Sequence, residues 1–108
     1  KQLGAQSVVD LGCGEGRLLS ALSREGFLAG RQASGVDLSP IRLAVARAAL
    51  PGSEFVEDDA VELKTVRNES VDIVIYNQVI EHVASDVLAL RQIRRVIKPG
   101  QVIVIPKK

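Results

Sequence analysis

The run Val8-Val-Asp-Leu-Gly-Cys-Gly-Glu-Gly16 constrains this chain more than any other stretch. Two valines open it, and glycines at positions 12, 14 and 16 close it. The helix-compatible segment Arg17-Leu-Leu-Ser-Ala-Leu22 follows directly. β-Branched side chains suit a pleated, buried strand. Glycines suit a tight turn whose bare backbone a ligand can approach. In this order, strand, glycine turn and helix present a loop and a helix N-terminus at one edge of a parallel sheet. The loop is therefore expected to hold a cofactor.

The same alternation continues along the chain. Ser7 to Leu11 reads as a first strand, followed by a helix that starts at Glu15 or Gly16. That helix carries Leu18, Leu19 and Leu22 on one face and stops at Gly26 as C′ residue. Ala33 to Asp37 is a second strand. Ser39-Pro40 supplies an N-cap and a first helical residue. The spacing of Ile41, Ala44, Val45 and Ala48 predicts the inward face of a second helix, which Pro51-Gly52 ends. Ser53 to Glu57 is a short third strand, and the polar stretch 58–70 contains one helical turn near Val61 to Leu63. Val71 to Tyr76 is a fourth strand. Ser85 caps a third helix that turns Val87, Leu90, Ile93 and Ile97 inward until Pro99-Gly100 breaks it. Val102 to Ile105 is a fifth strand. Strands alternating with helices, joined by right-handed crossovers, give an α/β doubly wound parallel sheet.

Composition excludes several classes. Hydrophobic residues make up 46% of 108 residues, enough for the core of one soluble globular unit. The formal net charge is +1, so bulk electrostatics favour neither nucleic acid nor a membrane surface. No apolar run approaches the ~18 residues of a membrane span. The lone cysteine, Cys13, excludes an internal disulfide and suits a reducing, cytoplasmic setting. Phe27, Phe55 and Tyr76 are too few to form a stacking platform for single strands. Residues 1–108 carry no repeat or linker and read as one domain core. The chain stops just after a buried-looking strand, as an incomplete domain would.

Four groups carry chemistry, and the parallel topology sends all of them to the carboxyl edge of the sheet. Asp10 and the glycines form the first. A dinucleotide loop of the Gly-x-Gly-x-x-Gly type needs a glycine at position 17, where Arg17 stands, so a nicotinamide cofactor is disfavoured. Asp37 ends the second strand, where a carboxylate can accept both hydroxyls of a ribose. It also precedes the Ser39 cap and complements the helix dipole there. The acidic group Glu57-Asp58-Asp59-Ala60 follows the third strand. The group Tyr76-Asn77-Gln78-Val79-Ile80-Glu81-His82 follows the fourth and contains the single histidine. The basic set Arg91, Arg94, Arg95 and Lys98 reads as cations complementing a helix C-terminus, not as an RNA surface.

Together these residues resemble the class I S-adenosylmethionine-dependent methyltransferases over nearly the whole chain. Val8 to Gly16 is similar to that family's first motif, and Gly35-Val-Asp-Leu-Ser39 to its second-strand motif. Asp59-Ala60 resembles the adenine motif, Val71 to Asn77 the fourth-strand motif, and Arg95-Val-Ile-Lys-Pro-Gly100 the turn before strand five. The resemblance implies a Rossmann-like fold with strand order 3-2-1-4-5, here without the usual last two strands. It implies S-adenosyl-L-methionine as cofactor, with Gly12, Cys13, Gly14 and Gly16 around its methionine part and Asp10 near its amino group. Asp37 would take the ribose hydroxyls, Leu38 would pack on adenine, Asp59 and the Ala60 backbone would read its edge, and Asn77 would face the ammonium. His82 or Glu81 would serve as base where the acceptor must lose a proton, and a small molecule is the expected acceptor. Asp10 to Leu19 with Val79-Ile-Glu-His82 is also similar to small-RNA 2′-O-methyltransferases that bind a divalent metal. That pattern puts a glutamate where Gln78 stands and needs a further histidine downstream, so no metal is expected. A cofactor-binding module without turnover is the other alternative.

Overall fold

A computed structural model of the protein describes residues 6–76 and 83–104, including the backbone but not the side chains of residues 83 and 102–104. Five parallel strands form one sheet in the order β3-β2-β1-β4-β5. They are β1 (Ser7–Leu11), β2 (Gln32–Asp37), β3 (Glu54–Glu57), β4 (Val71–Tyr76) and β5 (Ile97–Val104). The helices are α1 (Arg17–Arg24), α2 (Pro40–Ala49) and α3 (Val83–Val96). Among the described residues, no helix is long and apolar enough to cross a membrane.

Strand alternation divides the core in two. Val9, Leu11, Val36, Val74 and Tyr76 pack with Ala89, Ile93 and Val96 of α3 and with Ala60 and Leu63 of the loop 58–70. On the other face Cys13, Leu19, Leu43, Ala46 and Phe55 bring α1 and α2 against the sheet. The helix ends follow local chemistry. Gly26 N–H donates to Ser23 O and Phe27 N–H to Leu22 O, a Schellman pair that stops α1 where expected. Ser39 Oγ accepts the Arg42 N–H at 3.2 Å, and Pro40 occupies the first turn of α2.

Four expectations about faces and ends are corrected. On α2, Ile41, Ala44, Val45 and Ala48 are exposed, and Leu43 and Ala46 are buried. Apolar residues lie almost all round this helix, so periodicity does not choose a face. Packing on β2, β3 and the glycine turn chooses it: Leu43 and Ala46 pack with Phe55, and a Cβ on Gly16 would lie 3.1 Å from the Ala46 Cβ. On α3, Ile93 is buried as expected, but Val87 and Leu90 are 44% and 43% exposed. Ser85 sits inside the first turn of α3, which is already helical at Val83, so it is not the N-cap. The first turn is instead anchored by Asp86, whose Oδ1 accepts the Tyr76 hydroxyl at 2.7 Å. Helix α3 also ends at Val96, before Pro99-Gly100, and Ile97 already belongs to β5. Val71 pairs with Ile97 but Ile73 with Val102, a shift that loops out the Pro99-Gly100 region. Pro99 has no N–H to give to the ladder, and Gly100 adopts φ 78°.

The loop 58–70 crosses one sheet face without a regular helix. Glu62 and Leu63 N–H groups both donate to Asp59 O, forming the single turn expected near Val61 to Leu63. Arg95 of α3 holds this loop. Its guanidinium donates to Leu63 O at 2.8 Å, Val66 O at 3.0 Å and Asn68 Oδ1 at 2.7 Å. At the opposite edge from the glycine loop, Asp72 ties three strands together. It accepts the Ser7 N–H at 2.8 Å and pairs with Lys98 at 3.2 Å. The basic set is thus split, with Arg95 and Lys98 both engaged in internal contacts.

Candidate cofactor site

The carboxyl ends of β1 and β2 build the site. After Leu11 the chain turns over β2, and the Gly12 and Cys13 N–H groups both donate to Val36 O, at 2.7 and 3.0 Å. Gly16 then closes the turn with its N–H on Cys13 O at 3.0 Å and leads into α1. It adopts φ 80°, a conformation that side chains disfavour, and has Ala46 against it. Glycine is needed there on both counts.

Asp37 is the node of the site. Its Oδ1 accepts the Gly14 N–H at 3.1 Å, and its Oδ2 accepts the Ser39 N–H at 3.0 Å. Its own carbonyl accepts the Asp58 N–H at 3.1 Å. The Asp37 side chain therefore pins both the glycine loop and the start of α2, and its backbone carbonyl ties in the loop after β3. A carboxylate offers about four acceptor positions, so two remain for a ligand.

A cleft of about 310 Å³ opens beside Asp37. Gly12, Leu38 and Ala60 line it, as do Val36, Ser39, Arg42 and Asp58. Leu38 is 59% exposed, an apolar surface available to a flat ring. Asp59 is not among the lining residues; its Oδ1 accepts the Val61 N–H at 3.0 Å within the turn. Asp58 is the more committed acid. Burial pushes its carboxyl up, but hydrogen bonds from the Thr65 hydroxyl, the Thr65 N–H and the Asp59 N–H outweigh this and hold it below the ordinary value. Sequence reasoning passed over Arg42 and Val36. The signal for Arg42 was its place three residues after the Ser39 cap, in the first turn of the helix that Asp37 introduces.

Cys13 turns its side chain away from the cleft into the core with Phe55 and Leu43. Burial pushes its thiol up to about 12, with the Asp10 and Asp37 carboxylates adding to the effect. The thiol stays protonated at neutral pH, so only the Cys13 backbone is available to a ligand. Asp10 is fully buried at the carboxyl half of β1, beside Gly35 of β2 and Ile75 of β4. Strand β4 delivers the chain to Tyr76, paired with Leu11 at the same edge. Asn77, Glu81 and His82, with Gln78, lie outside the described residues. Among the described residues, no three metal-ligating side chains come together.

A parallel sheet with a glycine turn after β1, an acid after β2 and a cleft between them defines a Rossmann-like nucleoside-binding protein. A family model described as "Methyltransferase domain" matches residues 9–105, and the chain belongs to that family. It is 30% identical over 103 residues to the ubiquinone biosynthesis O-methyltransferase of Albidiferax ferrireducens, covering 91% of this chain and 39% of that protein. Its fold matches the PH0226 protein of Pyrococcus horikoshii with TM-score 0.80 at 27% identity, covering 94% of this chain and 48% of the other. A SAM-dependent methyltransferase from Archaeoglobus fulgidus matches with TM-score 0.74 at 25% identity, covering 94% and 44%. The chain thus spans about two fifths of the length of the curated relative.

S-adenosyl-L-methionine is the cofactor of this domain class, and the described residues fit it. The remaining acceptor positions of Asp37 suit two adjacent hydroxyls. Exposed Leu38 suits a purine face, and the glycine turn leaves backbone where a side chain would block approach.

Proposed function

We propose that this chain is the cofactor-binding core of an enzyme that transfers a methyl group from S-adenosylmethionine to a small-molecule acceptor. The observation that carries the reading is Asp37. It is held by two backbone donors and faces a cleft with acceptor capacity to spare. Such a carboxylate is pre-oriented before any ligand arrives, which lowers the ordering cost of binding.

When bound, the cofactor supplies a methyl group on a sulfonium, already activated toward in-line displacement by a neutral leaving group. The chain's own residues then bind and orient. Asp37 accepts the two ribose hydroxyls, and Leu38 covers the purine. The Ala60 backbone reads its edge, and Asp59, which closes the adjoining turn, holds that backbone in place. Gly12, Cys13, Gly14 and Gly16 line the methionine part with backbone, while Asp10 and Asn77 favour its ammonium group. The gain comes from proximity, orientation and a dry site. Where the acceptor is a hydroxyl, His82 or Glu81 takes its proton. An oxygen acceptor on a small molecule is supported by the O-methyltransferase relative. Domain boundaries follow the same reading, with residues 1–108 as the core to which acceptor-binding segments attach.

Calorimetry with S-adenosylhomocysteine and NAD tests this. The wild-type chain is expected to bind the first and not the second. Asp37→Asn keeps the shape but sets its NH2 against one of the two backbone N–H groups and removes the charge, and is expected to weaken binding at least ~30-fold. Tight NAD binding without adenosyl-ligand binding would overturn the reading. Ligand binding with no methyl transfer by the full-length protein, across phenol and carboxylate acceptors, would instead mark a binding module.

A further inference from the structure

Arg42 differs from Arg31, Arg47 and Arg95, whose guanidinium groups are engaged in contacts within the chain. Arg47 donates to Phe55 O, Arg95 to the loop 58–70, and Arg31 to Gln6 and Phe27. Arg42 has its backbone N–H fixed on Ser39 Oγ. Among the described residues, no hydrogen bond or ion pair engages its guanidinium. Yet that side chain walls the cleft. Its Cδ lies 4.0 Å from the point where a Gly14 Cβ would stand, so its stem runs beside the glycine turn. Neither carboxylate in the cleft wall pairs with Arg42: Asp37 accepts from Gly14 and Ser39, and Asp58 from Thr65 and Asp59.

A planar cation without a carboxylate partner, at the rim of a cleft that also presents exposed Leu38, matches a flat π-system better than a point charge. Arginine stacks on aromatic faces because its guanidinium is planar and weakly hydrated. We propose that Arg42 is a specificity-determining cofactor contact whose guanidinium lies against the adenine ring. This rests on the methyltransferase reading of the cleft and adds a residue to it. A cation here favours the electron-rich purine over a pyrimidine. It acts on the nucleoside half of the ligand, not on the amino-acid half.

The test is calorimetric and needs no turnover. S-adenosylhomocysteine and 5′-methylthioadenosine share the nucleoside, and only the first carries the amino acid. Arg42→Ala is expected to raise Kd about fivefold to tenfold for both ligands, by the same factor. Arg42→Met keeps the length of the stem without the charge and is expected to lose nearly as much. Arg42→Lys is expected to recover only part, because an ammonium does not stack. Arg42→Met binding like wild type would show that stem packing alone matters, and would overturn the proposal. A loss seen with S-adenosylhomocysteine but absent with 5′-methylthioadenosine would place Arg42 on the amino-acid carboxylate, and would also overturn it. Failure of the wild-type chain to bind either ligand would overturn the cofactor reading itself, a separate outcome. Arg42 is exposed and outside both core clusters, so its variants are expected to fold.

Discussion

Gly35 is the residue on which the site and the core press hardest. It lies in β2 beside Asp10, and a Cβ there would sit 2.6 Å from Cys13 Sγ, 2.8 Å from Phe55 Cδ1 and 2.9 Å from Cys13 Cβ. Gly35→Ala therefore asks one methyl group to enter a packed space. Phe55 is 5% exposed and Cys13 4%, so neither swings into solvent. Cys13 is also held by its N–H on Val36 O. Overpacking of this kind costs about 1–3 kcal/mol. Loss of glycine freedom in the unfolded chain returns only about 0.4–1 kcal/mol. The net expectation is a loss of about 1.3 kcal/mol, or a fall in Tm of roughly 5–10 °C for a domain this size. Thermal unfolding followed by circular dichroism reads it. Displacing Cys13 also shifts the neighbouring Gly14 N–H from Asp37, so S-adenosylhomocysteine binding is expected to weaken in the same variant. Cys13→Ala removes the nearest clashing atom. The double variant should therefore be more stable than the sum of the two single effects, by about 1 kcal/mol. A Gly35→Ala protein with wild-type Tm, or strictly additive effects in the double variant, would refute the packing argument.

Three further outcomes follow from the same contacts. Arg95→Ala strips donors from Leu63 O and Val66 O in a half-buried loop, and is expected to cost about 1–3 kcal/mol in denaturant unfolding. Arg95→Lys should not restore it, because one ammonium does not reproduce the fork. The Asp72 carboxyl is held below its ordinary value of 3.8 by the Ser7 N–H, with Lys98 assisting against burial. A lowered folded-state pKa gives stability that is present above the unfolded value and is lost as pH falls through the folded one. Stability should therefore decline below about pH 4, and Asp72→Asn should flatten that limb in a pH series of urea melts. Cys13, its thiol pushed up to about 12 and buried, should resist a thiol reagent at pH 8 in the native protein. It should react once urea is added; native-state labelling at the unfolded rate would show that Cys13 is not packed as described.

Much of the site was legible because its demands are local. The strand ends, the glycine turn, the Ser39 cap and the acid at position 37 each depend on residues within a few positions. Asp37 had two sequence readings, a ribose ligand or a complement to the helix that starts at Ser39. The structure gives it the second role outright, through Ser39 N–H, and a further one that spacing did not reveal, the bond to Gly14. Asp58 and Asp59 were one acidic group in sequence. In the fold Asp58 lines the cleft and caps the loop, while Asp59 closes a turn.

By itself, the sequence determined the alternation of strands and helices, the parallel sheet and the class of ligand loop. Those follow from β-branched runs, helix caps and glycine placement, whose energetics are set by neighbours in the chain. Only the tertiary structure decided which face of α2 is buried, that Cys13 points into the core, that Arg95 serves the loop 58–70, and that Arg42 stands at the cleft. Each depends on atoms far away in sequence: Gly16 against Ala46, Gly35 against Cys13, Arg95 against Leu63, Arg42 beside Gly14. A helix apolar on nearly all sides, or an arginine among fourteen basic residues, carries no local mark of the partner it will meet. Packing at near-crystalline density selects one arrangement, and only in three dimensions.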